Sequence, residues 1–454
     1  MRKFTQSLAL AALLLSTSAY AQNVAPAVTV SAKAAKVPWL YEGSDVPVDD
    51  TWTFGVLPNG LRYAVKKNDV PAGQVSIRVR IDAGALHENN DEQGFAHLIE
   101  HLSFRGSTFV PDGEAKRIWQ RFGVTFGSDS NAQTTPTQTV YKLDLPNATP
   151  EKLDESVKII SGMIRNPRIS PSALNAERAI VLAELRENSG AQMVYSDALR
   201  QHAFQGQRLA NRSTIGTPET LQAADALRLS AFHDRWYRPE NAVVVMAGDI
   251  EPTQLANLVQ KYFNDWKGKG ARAPEPAFGD PTPQGTPTRV LIEPTLPTIV
   301  SIAYLRPWRK VDDTIAYNEQ LLIDALALQI INRRLEVQAR SGGNYLFAEI
   351  AQEDISRTAD ATLVSVTPVG DKWDAATRDV RAVIADATRL RPPDDREGVG
   401  GAGGGLGALG VLDRARAGAR AVEEAEEAAE VQLLPAGIED VARARRGEAE
   451  AQRP

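Results

Sequence analysis

Apolar and polar positions alternate with a period of two in several short runs of the first 150 residues. Trp52–Leu57 and Leu61–Lys67 flank Pro58-Asn59-Gly60, and Asn-Gly between two such runs predicts a hairpin. Val75–Ile81 (V-S-I-R-V-R-I) alternates strictly and predicts a half-buried strand. Val124–Asn131 and Thr139–Leu145 predict two further strands around a polar turn, and Asn241–Ala247 a buried strand ending at Gly248-Asp249. Between them the period lengthens. Helices are predicted over Glu114–Phe122, over Glu151–Arg165 (ended by Asn166-Pro167), from about Ser172 behind Pro171, and over Pro218–Phe232 and Leu255–Trp266.

A break follows. Residues 268–288 carry Pro274, Pro276, Pro281, Pro283 and Pro287 and read as a linker between a first unit, 51–267, and a second, 289–392. The second unit predicts strands at Val290–Ile292, Ile299–Leu305 and Ala361–Val366, with helices over Ile315–Ala339 and Trp373–Leu390. Past Pro393 the pattern is lost: Gly398–Gly410 is nearly all glycine and alanine, and an Ala/Arg/Glu-rich run continues to Pro454. Residues 393–454 cannot form a core of native density. They read as a low-complexity tail, or as the product of a shifted reading frame in GC-rich DNA, which a family-like continuation in another frame of the gene would reveal.

The N-terminus predicts export. Arg2 and Lys3, the apolar run Leu8–Leu15 and the Ala19-Tyr20-Ala21 site before Gln22 make residues 1–21 a signal peptide. The run is too short to span a bilayer. Residues 22–50 read as an extended leader, and the mature protein is expected to be periplasmic or secreted with no membrane span. A net charge of −6 gives no reason to expect nucleic acid as a partner. Cysteine is absent, so any metal must be held by His, Asp or Glu, and thiolate chemistry is excluded.

One stretch carries chemistry: Gly94-Phe95-Ala96-His97-Leu98-Ile99-Glu100-His101-Leu102-Ser103-Phe104-Arg105-Gly106. It contains H-x-x-E-H, the reverse order of the commoner zinc-protease motif. Residues four apart on a helix lie about 40° apart around its axis and roughly 6 Å along it, so His97 and His101 can converge on one ion. Zinc accepts imidazole nitrogen and keeps a position open for water, whose pKa falls toward about 7. Glu100, on a neighbouring part of the same face, can take that water's proton as general base. A hydrolytic zinc site needs a third ligand, here a His or a carboxylate. Glu177 and Glu184 on the later long helix share one face, although two acids at that spacing are ordinarily a solvated face.

With its flanks, this sequence resembles the pitrilysin/insulinase family of zinc peptidases, which includes the mitochondrial processing peptidase. The resemblance rests on G-F-A-H-L-I-E-H-L-S-F-R-G, N-A-E-R-A-I-V-L-A-E-L-R-E, I-G-T-P-E-T-L at 215–221 and F-H-D-R-W-Y-R-P-E-N-A-V-V-V-M-A-G-D at 232–249. It is strong over roughly residues 50–270 and weaker through I-I-N-R-R-L-E at 330–336. It implies Zn2+ as cofactor, Glu184 as third ligand and Glu177 as the acid that supports the site. It implies an α+β fold of two related units, each a mainly antiparallel sheet with helices packed on one side, forming half of a chamber that admits peptides and short unfolded chains. Asn131, Ala132 and Gln133 take the place of the family's edge strand that pairs with substrate backbone. The chain departs from the family near residue 392, before the C-terminal half that lends an Arg and a Tyr to substrate binding. The resemblance therefore implies a zinc endopeptidase, or alternatively a non-catalytic or incomplete subunit that binds peptides and needs a partner half for turnover.

Overall fold

The computed structural model describes residues 39, 41–281, 288–389 and 430–432. The expected signal peptide, most of the leader and nearly all of the tail lie outside them. Ten strands and ten α-helices follow one another along the described residues. The first sheet uses β1 (Trp52–Val56), β2 (Arg62–Lys67), β3 (Val75–Ile81), β4 (Ser130–Thr134), β5 (Thr139–Leu145) and β6 (Ala242–Gly248). Their order is β1-β2-β6-β3-β5-β4, antiparallel except for the β2–β6 pair, so β4 is an edge strand.

Alternation explains the register. Val75, Ile77, Val79 and Ile81 are buried, and Ile77 and Val79 face Leu143 and Tyr141 across β5 and Met246 and Val244 across β6. Onto this apolar face pack α1 (Phe95–Ser103), α2 (Glu114–Arg121), α3 (Pro150–Arg165), α4 (Pro171–Glu187), α6 (Pro218–Ala223), α7 (Ala226–Trp236) and α8 (Pro252–Phe263). Helices α3 and α4 begin as local rules demand, with Thr149 and Ser170 as capping side chains and proline in the first turn. The α+β architecture, with its helices layered on a largely antiparallel sheet, is as expected.

Helix α1 is the centre of this unit. Phe95, Ala96, Leu98, Ile99 and Leu102 are fully buried, so the helix is apolar around most of its circumference. Its N-terminus is capped from outside: the buried Glu88 carboxylate accepts from Gly94 N at 3.0 Å and Ala96 N at 2.9 Å. Gly94 has φ 90°, and Gly216 (φ 88°) meets it backbone to backbone. A Cβ on Gly216 would fall 2.5 Å from the Gln93 carbonyl oxygen. Gly216→Ala is therefore expected to destabilise the fold by about 2–3 kcal/mol, seen as a lower denaturant midpoint. An unchanged midpoint would contradict the close approach.

The second sheet comprises β7 (Val300–Pro307), β8 (Tyr345–Ile355), β9 (Ala359–Pro368) and β10 (Glu430–Gln432), all antiparallel in the order β10-β7-β9-β8. Helices α9 (Ile315–Arg340) and α10 (Trp373–Arg389) pack on it. The Asn332 side chain of α9 bonds both Ile350 N and Ile350 O, covering the free edge of β8.

Several elements differ from the sequence expectation. Residues 125–130 turn tightly, with Thr125 N held by Asp129 Oδ2 and Asp129 N by Thr125 O, so β4 begins only at Ser130. Asp225 caps α7 and splits the helix expected over Pro218–Phe232. Val290–Ile292 is not paired as a strand. Helix α5 (Ala191–Ala203) and strand β8 were not expected: α5 buries only Ala198 and His202, and β8 is an edge strand with many exposed positions. Neither carries a clear apolar period.

Candidate metal centre

Helices α1 and α4 lie against each other and place the acidic and imidazole side chains in one cleft. The ring nitrogens of His97 and His101 and a carboxylate oxygen of Glu184 lie within 4.8 Å of one another. Glu184 Oε2 stands 3.8 Å from His97 Nε2 and 3.7 Å from His101 Nε2. Tetrahedral ligands at about 2.0–2.1 Å from zinc would be roughly 3.4 Å apart. The two Glu184 separations are thus a few tenths of an ångström wider than in such a site, and the three donors together lie within 4.8 Å of one another.

The donor chemistry agrees with a metal. His101 Nδ1 lies 3.1 Å from Glu177 Oε2. A carboxylate only accepts, so Nδ1 carries the proton and Nε2 presents its lone pair to the cleft. Glu177 is itself held from the other side, with Arg105 Nε 2.8 Å from its Oε1. His97 is less supported: its buried Nδ1 has no hydrogen-bond partner. Burial, then the neighbouring His101, lowers the His97 pKa to about 4, which keeps the ring neutral and able to ligate.

His101 behaves oppositely. Burial would lower its pKa, but the Glu177 hydrogen bond and the Glu100, Glu177 and Glu184 charges raise it overall. Metal must displace the Nε2 proton of the charged ring, while Nδ1 keeps its own toward Glu177. The apparent zinc affinity is expected to fall as pH drops from about 8 to about 6, approaching tenfold per unit below the His101 pKa. His97, with its value of about 4, adds nothing in that window. Chelator competition across that range checks this, and a pH-independent affinity would contradict it.

Glu100 sits 8% exposed between the imidazoles and β4, and its Oε2 accepts from Thr134 Oγ1 at 2.5 Å. Burial raises its pKa, opposed by the Thr134 hydrogen bond and the His101 charge. A carboxylate with a raised pKa is a better proton acceptor near neutrality. A cleft of about 600 Å³ opens here, lined by His97, Glu100, His101, Glu184 and the β4 segment Asn131–Thr134.

The structure thus brings together every residue singled out in the sequence. Asn131 and Gln133 are exposed on β4, and Ala132 is half-buried between them. The Ala132 N–H donates to the Asn131 side-chain oxygen at 2.9 Å and not to β5, so it lies on the unpaired edge. Two residues were missed. Thr134 shares the inward parity of Ser130 and Ala132, a signal in the alternation itself. Arg105, four residues after His101, lies one helical turn further on, where a partner for an acidic neighbour could have been sought. Among the described residues no other group of His and acidic side chains is arranged to hold a metal, and no helix is long and apolar enough to cross a membrane.

Residues 63–217 match the family model for insulinase (peptidase family M16), and residues 223–355 match the model described as the peptidase M16 inactive domain. The chain is 32% identical over 222 residues to a probable zinc protease, PqqL, of Haemophilus influenzae, covering 49% of this chain and 24% of that protein. It is 28% identical over 300 residues to the Escherichia coli protein of the same name, covering 65% and 32%. The chain therefore spans about a quarter to a third of the length of these relatives. The crystal structure of the periplasmic protease PqqL from E. coli superposes with TM-score 0.69 at 24% identity, over 76% of this chain and 38% of that one. Pitrilysin superposes with TM-score 0.64 at 18% identity, over 86% and 45%. Both likenesses are of fold.

Proposed function

The chain belongs to the insulinase (M16) family of peptidases, and on that premise we propose that it is a zinc-dependent endopeptidase acting on peptides or short unfolded polypeptides. The observation that carries the proposal is the convergence of His97, His101 and Glu184 beside Glu100, at the open edge of β4. Its first unit, 51–267, is the catalytic one in this reading, with 289–392 a second, incomplete family domain joined by 268–288. The export signal read at residues 1–21, and the periplasmic setting of the E. coli relative, support action in the periplasm.

Two imidazole nitrogens and a carboxylate oxygen, with no cysteine in the chain, fit zinc, held by His97 and His101 through Nε2 and by Glu184. When bound, zinc supplies a Lewis acid for the scissile carbonyl and lowers the pKa of water toward about 7. Glu100 accepts the proton of the attacking water as the oxygen–carbon bond forms. It returns that proton to the amine as the carbon–nitrogen bond breaks. Glu177 keeps His101 in the tautomer that presents Nε2, through the contact at 3.1 Å. Asn131, Ala132 and Gln133 hold the peptide as an added strand on β4.

The test is hydrolysis of a mixed pool of quenched peptides by the full chain, abolished by a zinc chelator and restored by added zinc. Turnover that survives thorough removal of metal would overturn the proposal. A second reading is favoured by the likeness to the first half of the E. coli protease PqqL: a subunit that binds zinc and peptides but needs a partner half for turnover. Zinc and peptide binding without hydrolysis, with hydrolysis gained on adding such a half, would select it.

A further inference from the structure

We propose that Thr134 is the positioning residue for Glu100, and that through it the peptide-pairing edge of β4 is tied to the base; this rests on the endopeptidase reading above. The Thr134 hydroxyl donates to Glu100 Oε2 at 2.5 Å. One residue of an edge strand therefore holds the base through its side chain. Carboxylates rotate freely about their last bond unless such contacts fix them.

Strand parity gives this contact a second meaning. Asp144 N donates to Asp129 O, and the register runs on through Asn131 opposite Lys142, so the odd-numbered residues of β4 bond β5. Ala132 and Thr134 then turn their amides to the outer edge. At Ala132 that amide is held only by the Asn131 side chain, which an incoming peptide carbonyl can replace. At Thr134 the side chain of the residue whose amide faces outward is already bonded to Glu100. A peptide adding to β4 can pair at Ala132 and then meets the Glu100 carboxylate two residues on, about 7 Å away. Thr134 thereby sets both the orientation of Glu100 and the point along the edge where the peptide backbone reaches it.

The experiment compares Thr134→Val and Thr134→Ser in the full chain against the quenched peptides. Thr134→Val is expected to lower kcat by about 10–100-fold, with KM within about twofold and zinc content unchanged. Thr134→Ser, which restores the hydroxyl, is expected to keep kcat within about threefold of the parent. In a Glu100→Gln background, Thr134→Val should lower kcat no further. A kcat equal to the parent's in Thr134→Val, or a loss that appears as lost zinc or raised KM, overturns the role. A readout independent of turnover accompanies these: the unfolding midpoints of Thr134→Val, Glu100→Ala and the double variant, in the metal-free protein. Non-additive shifts are expected, and additive ones overturn the contact. A parent chain that binds zinc yet fails to cleave peptides overturns the endopeptidase reading, and the unfolding midpoints alone then decide the Thr134–Glu100 contact. Cleavage that is indifferent to Thr134→Val overturns the positioning role alone.

Discussion

Glu100→Gln is expected to lower kcat for peptide hydrolysis by about a thousandfold, within the range of general-base removal, and to leave zinc content unchanged. Gln keeps the shape of Glu and can still meet the Thr134 hydroxyl, so the fold around α1 should persist. What it cannot do is accept a proton. Glu100 stands apart from the convergence of His97, His101 and Glu184, so its loss should not open the metal site. Steady-state kinetics with parallel zinc analysis separate the two outcomes. Equal kcat in parent and variant would remove Glu100 from the mechanism, and loss of zinc would make it a ligand instead of a base.

Glu184→Ala is expected to weaken zinc binding by about a thousandfold, because it leaves two imidazoles for an ion that wants at least three protein ligands. Glu177→Gln is expected to act more gently, by about 10–100-fold, since it only releases His101 from its orienting partner. The contrast matters because both acids lie on α4, yet Glu184 faces the imidazole Nε2 atoms while Glu177 meets His101 Nδ1. Competition with a chromogenic chelator measures both. A reversed order would exchange the roles assigned to the two acids.

The sequence made the metal helix legible because its chemistry and its packing are written in one stretch. Ligand spacing put His97 and His101 on one face, and the apolar residues around them marked a buried helix. The hairpin at Asn59-Gly60 was equally plain: Gly60 adopts φ 91°, and the Asn59 side chain bonds the Leu61 amide and the carbonyls of Phe263 and Trp266. Glu184 was harder. Two acids seven apart look like a solvated face, and Glu184 is indeed 40% exposed. Yet the same stripe of α4 carries buried Leu174 and Val181, which mark it as inward-facing. Family resemblance named the ligand, and the stripe would have argued for it. Thr134 and Arg105 left only faint signals, in strand parity and in spacing, because each matters through a contact across the fold and neither disturbs a local pattern. Helix α5 and strand β8 escaped for a different reason, since each buries too few apolar positions to impose a period.

The most direct test of the central claim is anomalous diffraction at the zinc edge from crystals of the full chain grown with the metal. One peak is expected, bounded by Nε2 of His97, Nε2 of His101 and a carboxylate oxygen of Glu184, with Glu100 beside it and not bound to it. A peak elsewhere, or none at saturating zinc, would contradict the assignment of this cleft as a zinc peptidase centre.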